Sequence, residues 1–249
     1  MTDRQRVHNS PAYVLHQRPF RDSSLLVDVL SCEFGRVALV ARGARNLRSR
    51  RRWVLQPFAP LSVSWSARSE LGTLTGAEAA GPPVNLIGDA LLSAYYVSEL
   101  LLVLTERHDP QPRLFDLYET TLRALAEPSV SLLATLRQFE LRFLEELGYG
   151  LILTHDALTS APIDPTGYYR VAPDSAPFPV AGPTENALVF PGYALLDIAT
   201  GAFNADETLR AAQRITSAAI DRCLDGRPLN TRKVLRAIHG HRRIEERAS

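Results

Sequence analysis

The hydrophobic pattern changes along the chain, from short apolar runs typical of strands to longer stripes typical of helices. Between residues 11 and 80 the apolar runs are short and are separated by turn residues, which predicts an all-β region. Five strands are predicted there, over 12–15, 25–30, 36–41, 55–65 and 71–75. Five short strands suit a small closed barrel, and the OB-fold is the five-stranded barrel that commonly binds oligonucleotides. A five-stranded antiparallel sheet with no binding role is the alternative.

A Gly-Pro-Pro sequence at 81–83 ends the β-region, and the apolar spacing then becomes helical. Helices are predicted over about 91–104, 114–125 and 132–147, the last closed by Gly148. Residues 154–203 are rich in Pro, Gly, Thr and Ser and predict a loop-rich insertion with one hairpin near 168–171.

A further helix is predicted from Asn204, since Glu207 three residues later completes the pattern of a capping box. A short helix is expected from about Thr231, followed by a charged tail over 239–249. The predicted fold class is α+β, with an OB-fold domain over 1–80 and a helical domain over 81–249.

Six arginines lie between the third and fourth predicted strands, in the stretch from Arg42 to Arg52, called the basic segment from here on. No acidic residue occurs between Glu33 and Glu70, so nothing nearby in sequence neutralises them. Arginines this close repel one another, and folding gains little from them unless a polyanion binds. The segment is predicted to be a mobile loop that binds nucleic acid; a merely solvated surface loop is the alternative. The candidate DNA-binding residues are Arg36, Arg42, Arg45, Arg48, Arg50, Arg51, Arg52 and Trp53.

Trp53 is the candidate platform for base stacking because arginines precede it, although a core tryptophan at a strand edge fits the pattern equally well. The charge distribution supports a phosphate-binding N-terminal region. Residues 1–80 hold 12 arginines and 6 acidic residues, a net charge of +6. Residues 81–249 hold 16 basic and 21 acidic residues, a net charge of −5.

Two cysteines, Cys32 and Cys223, are too few for a disulfide framework and form no CxxC pair, so a reducing compartment is expected. The first apolar stretch is too short for a signal peptide, and no stretch is long enough to span a bilayer. These features predict a cytoplasmic protein.

No catalytic arrangement is recognisable in the sequence. A P-loop, a dinucleotide-binding glycine pattern and a GxSxG elbow are all missing, and the six histidines are scattered. We therefore expect a binding protein with no catalytic residue, no metal and no cofactor. A nuclease is the weakly supported enzymatic alternative.

Several short motifs match one family in order and spacing. They include Arg21-Asp22-Ser23-Ser24-Leu25, Ala41-Arg42-Gly43-Ala44-Arg45, Leu55-Gln56-Pro57-Phe58, Leu147-Gly148-Tyr149-Gly150 and Gly226-Arg227-Pro228-Leu229. Over nearly its whole length the chain resembles the bacterial RecO family of DNA repair proteins. The resemblance implies an N-terminal OB-fold followed by a helical domain with a zinc-finger-like insertion. Many family members place four cysteines in that insertion. Here residues 153–157 hold none, so we expect the insertion without zinc.

The resemblance further implies binding to single- and double-stranded DNA, annealing of complementary strands, and action with RecR. Such proteins, acting with RecR, replace single-stranded-DNA-binding protein on DNA with RecA recombinase. It also implies that the helical domain grips the acidic, Phe-ended tail of single-stranded-DNA-binding protein. Leu136, Arg137 and Phe139 are the candidates for that site, since they combine apolar side chains and a cation within one turn. An Arg137 that only solvates the exposed face of a core helix is the alternative. An RNA-binding OB-fold protein of the translation or transcription machinery is the alternative function.

Overall fold

The computed structural model describes residues 5–184 and 187–232, which form eight strands and six helices. The strands are β1 (Gln5–Phe20), β2 (Ser24–Ser31), β3 (Gly35–Ala41), β4 (Leu61–Ala67), β5 (Leu71–Ala79), β6 (Tyr168–Ala172), β7 (Ser175–Val180) and β8 (Val189–Pro191). The helices are α1 (Arg50–Val54), α2 (Gly88–Leu104), α3 (Pro112–Ala126), α4 (Leu132–Glu146), α5 (Gly192–Thr200) and α6 (Asp206–Leu224). The prediction of an N-terminal five-stranded sheet followed by helices is confirmed.

Of the described residues, those from Gln5 to Glu127 together with 228–232 form one compact unit, and those between Pro128 and Arg227 form a second. The domain boundary predicted at residue 80 marks the change from strand-like to helical spacing in the sequence. It differs from the division into compact units and stays a prediction.

In the first unit, strands β1 to β5 close into a barrel in the order β1-β2-β3-β5-β4. All neighbouring pairs are antiparallel except β3 and β5, which pair in parallel. Inward-pointing side chains such as Val14, Val29, Leu39 and Val63 are fully buried and form the barrel core. Successive side chains of a strand point to opposite faces, so every second residue points into the barrel.

The predicted fourth strand, 55–65, is wrong at its beginning, because β4 starts only at Leu61. Pro57 and Pro60 have no N–H to give to a ladder, and Phe58 has a positive φ of 62°. Strands cannot continue through such positions. The basic segment is likewise not a loop throughout, because Arg50, Arg51 and Arg52 belong to α1.

In the second unit, α4, α5 and α6 accompany a small sheet of order β7-β6-β8. The hairpin predicted near 168–171 is present as β6 and β7, but the loop prediction misses β8 and α5. Helix α5 was missed because it is short and follows Pro191 in a stretch rich in turn residues.

The capping box predicted at Asn204 is wrong. Helix α6 begins after Ala205 with no side-chain hydrogen bond at its N-cap, and Glu207 instead accepts a hydrogen bond from the Tyr193 hydroxyl. The predicted short helix from Thr231 begins at Asn230, and its continuation and the charged tail over 239–249 lie outside the described residues.

Candidate nucleic-acid interface

Two buried side chains anchor the basic segment to the barrel. Ala44 and Leu55, which flank most of its arginines, are both buried in the barrel core. Helix α1 lies between them, and Arg51 connects it to the main chain of β5. The segment is therefore held at both ends.

Five of the six arginines have exposed side chains, and Arg51 is half-buried. Among the residues that the structure describes, none of the six forms an ion pair. Six uncompensated positive charges in one short segment make a strongly positive surface, which attracts phosphates.

Three of these arginines donate hydrogen bonds to main-chain carbonyl oxygens. The Arg45 Nη1 atom donates to the carbonyl oxygens of Arg21 and Asp22, at 2.9 and 3.1 Å. The Arg51 guanidinium donates to the carbonyl oxygens of Arg42 and Thr75, at 3.2 and 3.1 Å. These bonds leave the charge in place while fixing the path of the segment.

Trp53 lies on α1 with 71% of its surface exposed, so the alternative of a core tryptophan is wrong. Leu47, earlier in the segment, is 76% exposed. A large flat side chain exposed among cations is suited to stacking on an unpaired base. Leu47 is not among the site residues predicted from the sequence, although an apolar residue inside an arginine run is a visible signal.

The turn between β1 and β2 extends the basic surface. Arg21 is exposed there, and the main chain of Arg45 donates to the Ser23 carbonyl oxygen at 3.0 Å. The sequence analysis did not select Arg21 as a site residue, because it is distant from the segment in sequence. Only the contact between the two places it at this surface.

Arg36 occupies a different setting from the other candidates. Its guanidinium donates to the Thr105 carbonyl oxygen from Nε and Nη2, at 3.3 and 2.8 Å, and lies 3.9 Å from the Asp28 carboxylate. Burial lowers the pKa of Arg36, as does the neighbouring charge of Arg107, while Asp28 opposes the shift. The structure thus gives Arg36 an internal role between β3 and the segment after α2, and its part in DNA binding stays a prediction.

The predicted peptide site lies in the second unit. Leu136 and Phe139 are buried, and the Phe139 ring stacks on Phe143 with centroids 5.4 Å apart. Arg137 lines a cleft of about 300 Å³, together with Leu133, Asp206, Leu209, Arg210 and Gln213.

Arg137 is not a cation at an open rim. Its Nη2 atom lies 3.0 Å from the carboxylate of Glu140, which is buried and also accepts a hydrogen bond from the Thr216 hydroxyl. The Arg137 Nε atom is buried and has no hydrogen-bond partner among the described residues. Leu133, exposed and in the cleft, is the apolar residue that the sequence analysis missed.

Across residues 5–184 and 187–232 there is no group of three or more His, Cys, Asp or Glu side chains that could hold a metal ion. At the insertion, the Asp156 carboxylate instead accepts hydrogen bonds from the Leu158, Thr159 and Ala161 main-chain nitrogens and the Thr159 hydroxyl. Within the same described ranges, no helix has the length and apolar character needed to cross a membrane.

Two family models cover almost the whole chain. The one described as Recombination protein O N terminal matches residues 5–83, and Recombination protein O C terminal matches residues 88–233. The chain belongs to the RecO family of DNA repair proteins.

Similar RecO proteins match over nearly their full length. The DNA repair protein RecO of Aromatoleum aromaticum is 40% identical over 96% of this chain and 99% of its own. RecO of Coxiella burnetii is 39% identical, covering 93% and 99% of the two chains, and that of Nitrosococcus oceani is 41% identical, covering 94% of each. The assignment to DNA repair and recombination is therefore confirmed, and it does not favour the alternative of an RNA-binding protein of translation or transcription.

Proposed function

We propose that this RecO-family protein is a recombination mediator that binds single- and double-stranded DNA through the basic segment. The observation that carries the proposal is the segment itself: six arginines without ion pairs among the described residues, anchored by Ala44 and Leu55, with Trp53 exposed beside them. The barrel order β1-β2-β3-β5-β4 supports an OB-fold, a scaffold commonly used for oligonucleotides.

The proposed activity is annealing of complementary strands, with no catalytic residue. A basic surface that holds two polyanions reduces their repulsion, and base pairing then selects the partner strand. With RecR, the protein is proposed to help load RecA recombinase onto DNA coated by single-stranded-DNA-binding protein. We place this activity in the cytoplasm, at the nucleoid.

The cleft at Arg137 is the proposed site for the acidic, Phe-ended tail of single-stranded-DNA-binding protein. Leu133 and Leu209 line it and offer apolar contacts for a terminal phenylalanine. Its cations are Arg210, which lies 3.9 Å from Asp206, and Arg137, which pairs with Glu140. The candidate set is therefore revised: Leu136 and Phe139 support the helix from within the core, while Leu133 lies in the cleft.

A salt titration tests the DNA site. If the segment neutralises about four to six phosphates, the logarithm of the binding constant should fall with the logarithm of salt concentration at a slope of roughly −3 to −5. Replacing Arg48, Arg50, Arg51 and Arg52 by alanine should flatten this slope and weaken binding to all sequences similarly. Arg222→Ala, which removes an exposed arginine from α6 in the second unit, is the matched control and should leave the slope in place.

An unchanged slope in the quadruple variant would move the DNA site away from the basic segment. Stronger binding to RNA than to DNA of equal length would favour the alternative function instead. Loss of annealing in the quadruple variant, at a concentration where the control variant anneals normally, would connect the surface to the proposed activity.

A further inference from the structure

The arginines of the basic segment fall into two sets according to what their side chains contact. Three of them donate hydrogen bonds to main-chain oxygens: Arg45, Arg51 and Arg52. For the other three, the structure records no side-chain hydrogen bond or ion pair within the described residues: Arg42, Arg48 and Arg50. The sequence gives no reason to separate them, since all six are arginines in one run.

Arg51 joins three parts of the first unit. Its Nη1 atom donates to the Arg42 carbonyl oxygen at the start of the segment, and its Nη2 atom donates to the Thr75 carbonyl oxygen on β5. A planar guanidinium can hold two separated acceptors at once, whereas a lysine ammonium is a single nitrogen on a flexible stem. The bridge therefore depends on arginine and not merely on positive charge.

Arg45 and Arg52 form a second connection. Arg45 holds the β1–β2 turn through the Arg21 and Asp22 carbonyl oxygens, and the Arg52 Nη1 atom donates to the Arg45 carbonyl oxygen at 3.3 Å. Helix α1 is thus linked through Arg45 to a turn more than twenty residues earlier. Trp53 directly follows Arg52 in α1, so its placement depends on these bonds.

We infer that Arg45, Arg51 and Arg52 are positioning residues that fix the basic segment before DNA arrives. Arg42, Arg48, Arg50 and Trp53 are left to contact phosphates and a base. A segment that is already ordered loses less conformational freedom on binding, so affinity rises without an added contact. This inference rests on the proposed function, because it assumes that the segment binds DNA.

Charge-preserving substitutions at neighbouring residues of α1 provide the test. Arg51→Lys keeps the charge and removes the bridge, and Arg50→Lys keeps the charge where no bridge exists. Arg51→Lys should weaken binding to a single-stranded oligonucleotide about tenfold, as expected if the ordered segment falls to about a tenth of the molecules, with an unchanged salt slope. Arg50→Lys should weaken binding clearly less than Arg51→Lys does, and Arg50→Ala should reduce the magnitude of the slope by about 1.

A measurement without DNA separates positioning from direct contact. The chain has two tryptophans, the exposed Trp53 and the buried Trp65, so 5-fluorotryptophan labelling gives two ¹⁹F resonances. In Arg51→Lys the Trp53 resonance should sharpen and shift toward the position of free fluorotryptophan, while the Trp65 resonance reports an intact barrel. Arg45→Lys, at the other connection, should change the Trp53 resonance in the same direction and serves as a second variant.

Two results overturn the inference: equal affinities of Arg51→Lys and Arg50→Lys, or a Trp53 resonance that stays as in the wild type in both Arg51→Lys and Arg45→Lys. Failure of the proposed function has a different signature. Wild-type protein would then show no salt-dependent DNA binding, whereas the DNA-free Trp53 resonance would still report whether the arginines order the segment.

Discussion

Replacing Arg137 by alanine should have two separable effects, because this side chain both lines the cleft and pairs with a buried carboxylate. Its side chain is only 9% exposed, and that of Glu140 is 1% exposed. Removing Arg137 takes the ion pair from a buried carboxylate, and loss of one partner of such a pair costs about 3–5 kcal/mol of stability. Loss of a charge-assisted contact with the peptide should cost a further 1.5–3 kcal/mol of binding free energy, that is, about 10- to 150-fold in affinity.

The double variant Arg137→Ala, Glu140→Gln separates these effects. A neutral glutamine can still accept the hydrogen bond from the Thr216 hydroxyl, and the buried carboxylate charge is removed together with its ion-pair partner. We expect the double variant to regain most of the lost stability and none of the lost peptide affinity. Thermal unfolding measures the first quantity, and fluorescence anisotropy with a labelled acidic peptide ending in phenylalanine measures the second.

Arg142→Ala is the matched control, since Arg142 is an exposed arginine on the same helix and does not line this cleft. It should leave peptide affinity within about twofold of the wild type, as is usual for an exposed charge without a specific contact. The reasoning is wrong if the double variant recovers peptide affinity, or if Arg142→Ala loses as much as Arg137→Ala. Affinity of Arg137→Ala for naked DNA should be nearly unchanged, because the basic segment belongs to the other unit.

The remaining predictions concern Trp53, the insertion and the barrel. Trp53→Ala should weaken binding to single strands by about 1–3 kcal/mol in a direct titration, and binding to duplex by less, since its ring needs an unstacked base. A chelator should leave the melting temperature unchanged, and elemental analysis should show less than one zinc per chain. The Thr159 hydroxyl and the neighbouring main-chain N–H groups lower the pKa of Asp156, so its stabilising effect is present above the unfolded pKa of about 4. That effect should disappear as the pH falls through the lower, folded-state pKa. The protection factors of the 157–161 amides against hydrogen exchange should then fall in the wild type, and they should already be low at pH 7 in Asp156→Ala. Gly35→Ala should destabilise the first unit, because a Cβ at a φ of +62° would lie 1.9 Å from the Asp109 carbonyl oxygen; an unchanged melting temperature would contradict this.

Hydrophobic spacing alone determined most of the regular structure. The i, i+3, i+4 stripes predicted α2, α3 and α4 to within a few residues, because a helix in a folded unit needs one continuous apolar face. Short apolar runs separated by turn residues likewise predicted five N-terminal strands. The acid-free arginine run was equally visible, because charge is a property of the residues and needs no fold to be recognised.

Where hydrophobic spacing carried no signal, the tertiary structure determined the bounds of the elements and the surroundings of the side chains. The start of β4 depends on a positive φ at Phe58, and α5 is too short to show a clear period. The sequence was compatible with a buried or an exposed Trp53, and the position of this residue on α1 leaves it exposed. The partners of individual side chains could not be predicted from the sequence at all. Examples are the pairing of Arg137 with Glu140, and the hydrogen bonds of Thr216 to Glu140, Arg36 to Thr105 and Arg51 to Thr75. A sequence pattern specifies which face of an element is apolar, whereas these contacts join residues that only the packed chain brings within hydrogen-bonding distance. That is why equal arginines in one run divide into those that hold the segment and those left exposed to solvent.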